Sequence, residues 1–127
     1  MTSDIKVFTP LQANKMLPLV RKIVEDILSL GHKVRSLSVE VGSNAESHPD
    51  VVKLLNQLEE LFEELESLGC SYKDWNFSMG LVDFPAVIAG EEVYLCWRSD
   101  EANLQYYHGP EEGYPGRKLI PKELLTN

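Results

Sequence analysis

The chain has 127 residues, of which 43% are hydrophobic and 25% charged, and its formal net charge at pH 7 is −8. This length and composition are typical of one soluble globular domain with a modest core. Because phosphate backbones and anionic membranes are bound by basic surfaces, the acidic balance argues against nucleic acid and membrane partners.

The N-terminal segment and the cysteines bear on location. The opening residues, MTSDIKVFTP, contain no basic region followed by an apolar stretch, and no run approaches the roughly 18 apolar residues of a membrane span. Two cysteines, Cys70 and Cys96, are too few for a disulfide framework. A reduced, cytoplasmic setting is therefore expected.

A first long helix is predicted near the N-terminus. Thr9 is a good N-cap, Pro10 suits the first helical position, and Gln12 completes a capping box with Thr9. Apolar residues then recur at alternating spacings of three and four from Ala13 to Val41, which is a heptad pattern.

A second helix is predicted after a polar loop. The same apolar spacing continues over residues 50–68, and Gly69 is the expected left-handed cap. At 1.5 Å per residue the first helix is about 45 Å long and the second shorter than about 30 Å. In a long antiparallel hairpin, the strands of the second half must therefore cover the first third of helix one.

The apolar stripe on the first helix predicts self-association. Leu17, Val24 and Leu28 widen the stripe beyond a coiled-coil seam. It offers more apolar surface than one helix and a small sheet can bury, so a homodimer or larger homo-oligomer is expected. The sequence identifies no other protein partner.

The second half predicts a small antiparallel sheet of three or four strands. Its centre is a hairpin of Leu81–Ile88 with residues 93–98, both rich in β-branched and aromatic side chains. Shorter strands are predicted near residues 70–74 and 104–108, with a loop over 75–79 between the first strand and the hairpin.

The register of this hairpin makes a specific prediction. If the four residues Ala89-Gly90-Glu91-Glu92 form the loop, Phe84 faces Trp97 on one side of the sheet. On the other side Asp83 then faces Arg98, and a cross-strand ion pair between them is predicted.

These elements predict an α+β fold: a long antiparallel helical hairpin packed on a small antiparallel sheet. The whole chain, residues 1–127, is expected to be a single domain. Residues 1–69 form the helical hairpin, and residues 70–127 form the sheet with a C-terminal loop.

Two sequence blocks carry a resemblance to a known family. They are Gly80-Leu81-Val82-Asp83-Phe84-Pro85 and Leu95-Cys96-Trp97-Arg98. Further matching positions are Phe8-Thr9, Ala13-Asn14, Leu17-Pro18, Gly90, Val93, Glu101, His108, Gly113 and Gly116-Arg117. On these residues, which cover nearly the whole chain, the sequence resembles the bacterial domain-of-unknown-function 2203 family.

The chain departs from the family pattern at two places. Ser99-Asp100-Glu101 replaces a glycine-containing turn after Arg98, and Tyr107 stands where a Trp is expected. The resemblance implies no activity, since the family carries no established one.

Six polar residues of the second half could converge on one site. They are Asp83, Cys96, Arg98, Glu101, His108 and Arg117. We expect them to form a ligand-binding or structural cluster with Arg98 at its mouth, and we assign no catalytic residue, cofactor or metal ligand from the sequence.

Three chemical roles are compatible with parts of this cluster. Cys96 and His108 with a carboxylate could bind zinc, although their spacing fits no standard zinc pattern. A Cys–His nucleophile needs an activated thiol, whereas a mid-strand Cys96 is more typical of a small buried hydrophobe. Arg117, which follows a Gly-Tyr-Pro-Gly turn, could bind an anion, although those glycines are also typical of an ordinary loop.

Two functions from different classes remain. The favoured one is a non-enzymatic interaction or assembly module that self-associates through its helices. The alternative is a small-ligand or enzymatic site on the polar face of the sheet, around Asp83, Arg98, Glu101, His108 and Arg117. The first predicts exposed apolar surface on the helices, and the second predicts a polar concavity on the sheet.

Overall fold

The computed structural model describes residues 7–74 and 77–125. The fold is α+β, as predicted, with two long helices and one antiparallel sheet of five strands rather than three or four. Two residues of the predicted loop over 75–79, Trp75 and Asn76, lie outside the described residues.

The helices come first in the chain and the strands follow. The helices are α1, Pro10–Val41, and α2, Pro49–Leu68. The strands are β1, Ser71–Tyr72; β2, Leu81–Ile88; β3, Glu91–Arg98; β4, Tyr106–His108; and β5, Lys118–Leu119. They pair in chain order, β1-β2-β3-β4-β5. No helix in the described part of the chain is both long and apolar enough to cross a bilayer.

The helix ends follow the predicted caps. The Thr9 hydroxyl accepts a hydrogen bond from the Gln12 N–H at 3.1 Å, and the Gln12 side chain accepts one from the Thr9 N–H at 3.0 Å. Gly69 ends α2 in the left-handed region, with φ 101°. These short-range signals are therefore confirmed.

The sheet and the loop between β3 and β4 cover the first third of α1, as the helix lengths predict. The Asn14 side chain donates to the Leu104 carbonyl at 3.0 Å and accepts from the Leu104 N–H at 2.8 Å. The Arg21 guanidinium lies 5.1 Å from the centre of the Trp97 ring and donates to the Ala102 carbonyl.

Much of the predicted apolar stripe lies in the chain's own core. Its buried members on α1 are Ala13, Leu17, Val20, Ile23, Val24 and Ile27. The exposed large apolar residues of the two helices are Leu19, Val39, Val52 and Leu55. The homo-oligomer stays a prediction. The exposed apolar side chains that could form its interface lie mainly outside the apolar stripe from which it was predicted.

The central hairpin has a different register from the predicted one. Ala89 and Gly90 both have positive φ, 53° and 80°, and they form a two-residue turn. Such turns match the right-handed twist of the strands, so β3 begins already at Glu91 and the pairing shifts by two residues. Asp83 therefore lies opposite Cys96, and the predicted pairing of Asp83 with Arg98 is wrong.

The shift changes partners but not faces, because side chains alternate with a period of two. Val82, Phe84, Leu95 and Trp97 are fully buried on the side that packs against the helices, which we call the helix face. The opposite side, which we call the site face, carries the side chains of Asp83, Pro85, Tyr94 and Cys96 from the hairpin. Strand β4 adds Tyr106 and His108, which pair with Cys96 and Tyr94.

Candidate functional site

Three chemically reactive side chains meet on the site face. Asp83 of β2, Cys96 of β3 and His108 of β4 each direct one ligand-type atom to a common point, and these atoms lie within 4.8 Å of one another. The register explains this convergence, since Asp83 is directly opposite Cys96, and His108 is opposite Tyr94, the next position of β3 on the same face. We call these three residues the central cluster.

The central cluster is buried beneath the loop that follows β4. Its residues retain relative exposures of only 6%, 1% and 3% for Asp83, Cys96 and His108. Asp83 and His108 are the buried polar or charged residues of the described chain. Burying such groups is costly unless they are paired, and here the two side chains lie beside each other.

Both ring nitrogens of His108 have defined neighbours. Nδ1 lies 2.8 Å from the Gly109 carbonyl oxygen, and Nε2 lies 3.2 Å from each carboxylate oxygen of Asp83. A carbonyl oxygen can only accept, so Nδ1 carries a proton. In the neutral ring Nε2 is then the unprotonated nitrogen, and its lone pair is directed at Asp83 in the cluster. This tautomer is one in which histidine binds metals.

Burial governs the protonation of the other two residues. It raises the pKa of Asp83, and the neighbouring His108 and Lys73 partly oppose that rise. Burial, with a further contribution from Asp83, raises the pKa of Cys96 to about 12. Asp83 and Cys96 are directly opposite each other, so each acts on the protonation of the other. Without a metal ion Cys96 is therefore a protonated thiol at neutral pH.

These features disfavour the Cys–His nucleophile. A catalytic cysteine needs a lowered pKa and a base that removes its proton. The pKa of Cys96 is raised, and the two nitrogens of His108 already face Gly109 and Asp83. The arrangement lacks the linear order of nucleophile, base and orienting acid.

A cavity of about 310 Å³ opens above the central cluster. Besides the three cluster residues it is lined by Lys73, Leu81, Tyr94, Pro110, Gly113 and Tyr114. Strands provide the floor, and the loop after β4 provides a wall. The alternative function predicts a polar concavity on this side of the sheet, and the cavity found here is lined by polar and apolar groups in similar amounts.

A second polar pair lies beside the central cluster. Arg117 Nη2 lies 2.7 and 2.6 Å from the two carboxylate oxygens of Glu101, and the guanidinium stacks on the Tyr106 ring at 4.0 Å. The same nitrogen lies 3.4 Å from the Cys96 carbonyl oxygen. Arg117 is thus engaged by Glu101 and does not line the cavity.

Arg98 lies at the rim, away from Asp83. Its Nε donates to the Asp100 carboxylate at 2.6 Å, and its Nη1 donates to the Tyr114 hydroxyl. The six predicted residues therefore divide into the central cluster, the Glu101–Arg117 pair and Arg98.

Among the polar side chains that line the cavity, sequence reasoning missed Lys73 and Tyr114. Lys73 follows β1, in which Ser71 pairs with Asp83, so alternation places Lys73 on the site face as well. A strand of two residues is too short to reveal that alternation in the sequence. Tyr114 lies in an irregular loop and carries no periodic signal.

A family model described as "Uncharacterized conserved protein (DUF2203)" matches residues 6–120. The matched region contains the central cluster, the Glu101–Arg117 pair and every residue that lines the cavity. No curated protein and no solved structure shows a significant match to the chain.

Proposed function

The chain belongs to the DUF2203 family of uncharacterized conserved proteins, and we propose that it binds a divalent metal ion, best Zn²⁺, through Asp83, Cys96 and His108. The observation that carries this proposal is the convergence of a thiol, an imidazole nitrogen and a carboxylate from three strands within 4.8 Å. Thiolate, imidazole and carboxylate are the donor types that zinc uses in proteins.

The spacing of the donor atoms suits zinc. Ligand atoms at 2.0–2.3 Å from a tetrahedral ion are about 3.3–3.8 Å apart. His108 Nε2 and Asp83 are already 3.2 Å apart, and no pair in the cluster exceeds 4.8 Å. If the distances between the three donor atoms shorten by roughly 1 Å at most, the atoms occupy three corners of a tetrahedron around the ion.

Charge also favours a cation at this point. Asp83 and Cys96 are both buried, and an ionised carboxylate or thiolate is stable in such a place only beside a compensating charge. A divalent ion supplies two positive charges among these donors. The contact of His108 Nδ1 with the Gly109 carbonyl is the outer hydrogen bond that normally orients a metal-binding histidine.

The number of protein ligands predicts an open coordination position. Structural zinc sites usually have four protein ligands, whereas catalytic sites have three and leave one position for water or substrate. The central cluster offers three, and the cavity of about 310 Å³ lies directly against it. We therefore propose a site of the open type, accessible to a small molecule.

Cobalt substitution tests the proposal. Tetrahedral Co²⁺ bound to a thiolate gives a near-ultraviolet charge-transfer band and visible d–d bands, which the apo chain lacks. We expect the tag-free, chelator-treated full chain to develop both on titration with one equivalent of Co²⁺. Cys96→Ser should remove the charge-transfer band, and the control Cys70→Ser, which changes the other buried cysteine, should keep it. Absence of the band, or its loss in the Cys70 variant, would overturn the proposal.

Self-association through the helices is the second candidate function. It is favoured by exposed apolar side chains near the loop that joins the helices, where Val39 is 80%, Val52 38% and Leu55 41% exposed. Exposed large apolar side chains on both helices are what self-association through the helices predicts. In this proposal the occupant is a second copy of the chain, and the metal site is independent of the contact.

A further inference from the structure

Lys73 lines the cavity above the central cluster and forms no ion pair within the described residues, and we infer that the cavity takes a small anion, a carboxylate or a phosphate, as the fourth ligand of the metal ion. This inference rests on the proposed metal binding and names the class of ligand that the open position accepts.

The metal and its protein ligands are together neutral. The carboxylate of Asp83 and the thiolate of Cys96 cancel the two positive charges of Zn²⁺, and His108 binds as an uncharged ring. The metal with its three protein ligands therefore does not neutralise a charged side chain on the cavity wall.

Lys73 supplies that charge. It lines the cavity together with the central cluster, and its backbone N–H donates to the Leu81 carbonyl at 2.8 Å, which fixes its position beside β2. Within residues 7–74 and 77–125 no carboxylate forms an ion pair with its ammonium group. Lys73 thus lines the same cavity as the central cluster and holds no carboxylate of the described chain, so its ammonium group is available to a ligand.

The neighbouring cations are already neutralised. Arg98 pairs with Asp100 at 2.6 Å, and Arg117 pairs with Glu101 at 2.6 Å. Outside the central cluster, Lys73 is the charged residue among the described residues that line the cavity, and its charge is positive.

A metal ion and an ammonium group on one cavity wall favour an oxyanion. The metal is a Lewis acid, so it would bind one oxygen of a carboxylate or phosphate. A second oxygen of the same group would accept a charge-assisted hydrogen bond from Lys73. The remaining walls include Tyr94, Pro110 and Leu81, whose apolar surfaces lower the local dielectric constant and so strengthen both interactions.

The size of the cavity restricts the ligand further. A volume of about 310 Å³ is at the lower end of the range for small-molecule sites. The chain also carries a net charge of −8, so no long-range attraction brings a polyanion to this face. The ligand is therefore a small molecule with one anionic group, and recognition is local.

The test is a titration of the Co²⁺-loaded full chain with sodium acetate and, separately, with sodium phosphate at constant ionic strength. We expect at least one anion to change the visible d–d bands in a saturable way. Lys73→Gln should weaken that binding about tenfold, the value of one charge-assisted hydrogen bond. Lys53→Gln, which removes an exposed lysine of α2 outside the cavity, is the matched control and should bind like the wild type.

The outcomes separate the two proposals. If no cobalt band forms, metal binding and the anion site both fall. If the cobalt band forms but neither anion changes it, or if the Lys73 and Lys53 variants bind the anion equally, the anion site alone is overturned. Saturation by acetate identifies a carboxylate as the preferred ligand, and saturation by phosphate identifies a phosphoryl group.

Discussion

Nε2 of His108 lies 3.2 Å from both carboxylate oxygens of Asp83, and the two residues belong to strands that are not neighbours in the sheet. The contact passes over β3, which lies between their strands and contributes Cys96 to the same point. A short strand of three residues, β4, is thereby attached through a buried polar contact to the longer β2.

This contact predicts coupling between two substitutions. In chelator-treated protein, Asp83→Asn and His108→Gln should each lower the free energy of unfolding, and together they should cost less than their sum. We expect a coupling energy of about 1–3 kcal/mol, which is typical of residues in one buried network. Urea denaturation of the single and double variants measures it.

A second double-variant cycle tests the register of the hairpin between β2 and β3. Asp83→Asn combined with Arg98→Met should be additive, because Asp83 contacts His108 whereas Arg98 contacts Asp100 and Tyr114. A coupling as large as that between Asp83 and His108 would mean that Arg98 reaches Asp83 after all.

Zinc should stabilise the folded chain. If the ion binds the native state alone, zinc at about 100 times its dissociation constant adds roughly 2.7 kcal/mol to the free energy of unfolding. Thermal denaturation with zinc and with a chelator should therefore show a higher Tm with zinc. Cys96→Ala should abolish this difference, whereas Cys70→Ala should lower both Tm values and keep the difference between them.

Removing one partner of the Glu101–Arg117 pair should strongly lower the free energy of unfolding. Both side chains are largely buried, with 15% and 10% of their surfaces exposed. Arg117→Met leaves the Glu101 carboxylate with a single remaining hydrogen bond, from the Arg98 N–H, and should cost about 3–5 kcal/mol. Urea denaturation should show a smaller loss for Glu101→Leu combined with Arg117→Met. A larger loss in the double variant would show that the pair is not the source of the effect.

Gly80 should tolerate no side chain while Val24 is present. A Cβ atom at Gly80 would overlap the Val24 side chain, so Gly80→Ala should lower stability by about 1–3 kcal/mol. Val24→Ala makes space for the added methyl group, and the double variant should lose less than the sum of the two single losses. Simple additivity in thermal denaturation would contradict this close approach of α1 to the sheet.

Self-association should depend on the apolar residues near the helix connection. We expect light scattering at micromolar concentration to show particles larger than the 14.4 kDa monomer. Val39→Lys with Leu55→Lys should shift the population to monomer without lowering stability, since both side chains are exposed. A wild-type mass of 14.4 kDa over a wide concentration range would reject the homo-oligomer.

The helices could be predicted because their signals are local. The Thr9 and Gln12 capping box and the Gly69 cap involve residues within a few positions of each other, and the apolar spacing shows directly which side is buried. The division of the hairpin residues between two faces was predictable for the same reason.

The hairpin register could not be predicted from these signals. The turn places Ala89 at a positive φ, which an alanine rarely adopts, and no residue type in the loop indicated it. The sequence therefore identified Asp83, Cys96 and His108 as candidates but paired Asp83 with the wrong partner. Their convergence depends on the register and on β4, whose three residues are too few to show a pattern.

Alternation along the central hairpin has a consequence for variation. In β2 the even-numbered residues 82, 84 and 86 face the core, whereas in β3 the odd-numbered residues 93, 95 and 97 do. A saturation scan of residues 81–98 should therefore show a core-facing set of positions at which substitutions lower the abundance of the protein. Asp83 and Cys96 lie between these positions, and their substitution should in addition abolish metal retention. Only the combination of an abundance assay with a metal-retention assay would then separate the two faces of the hairpin.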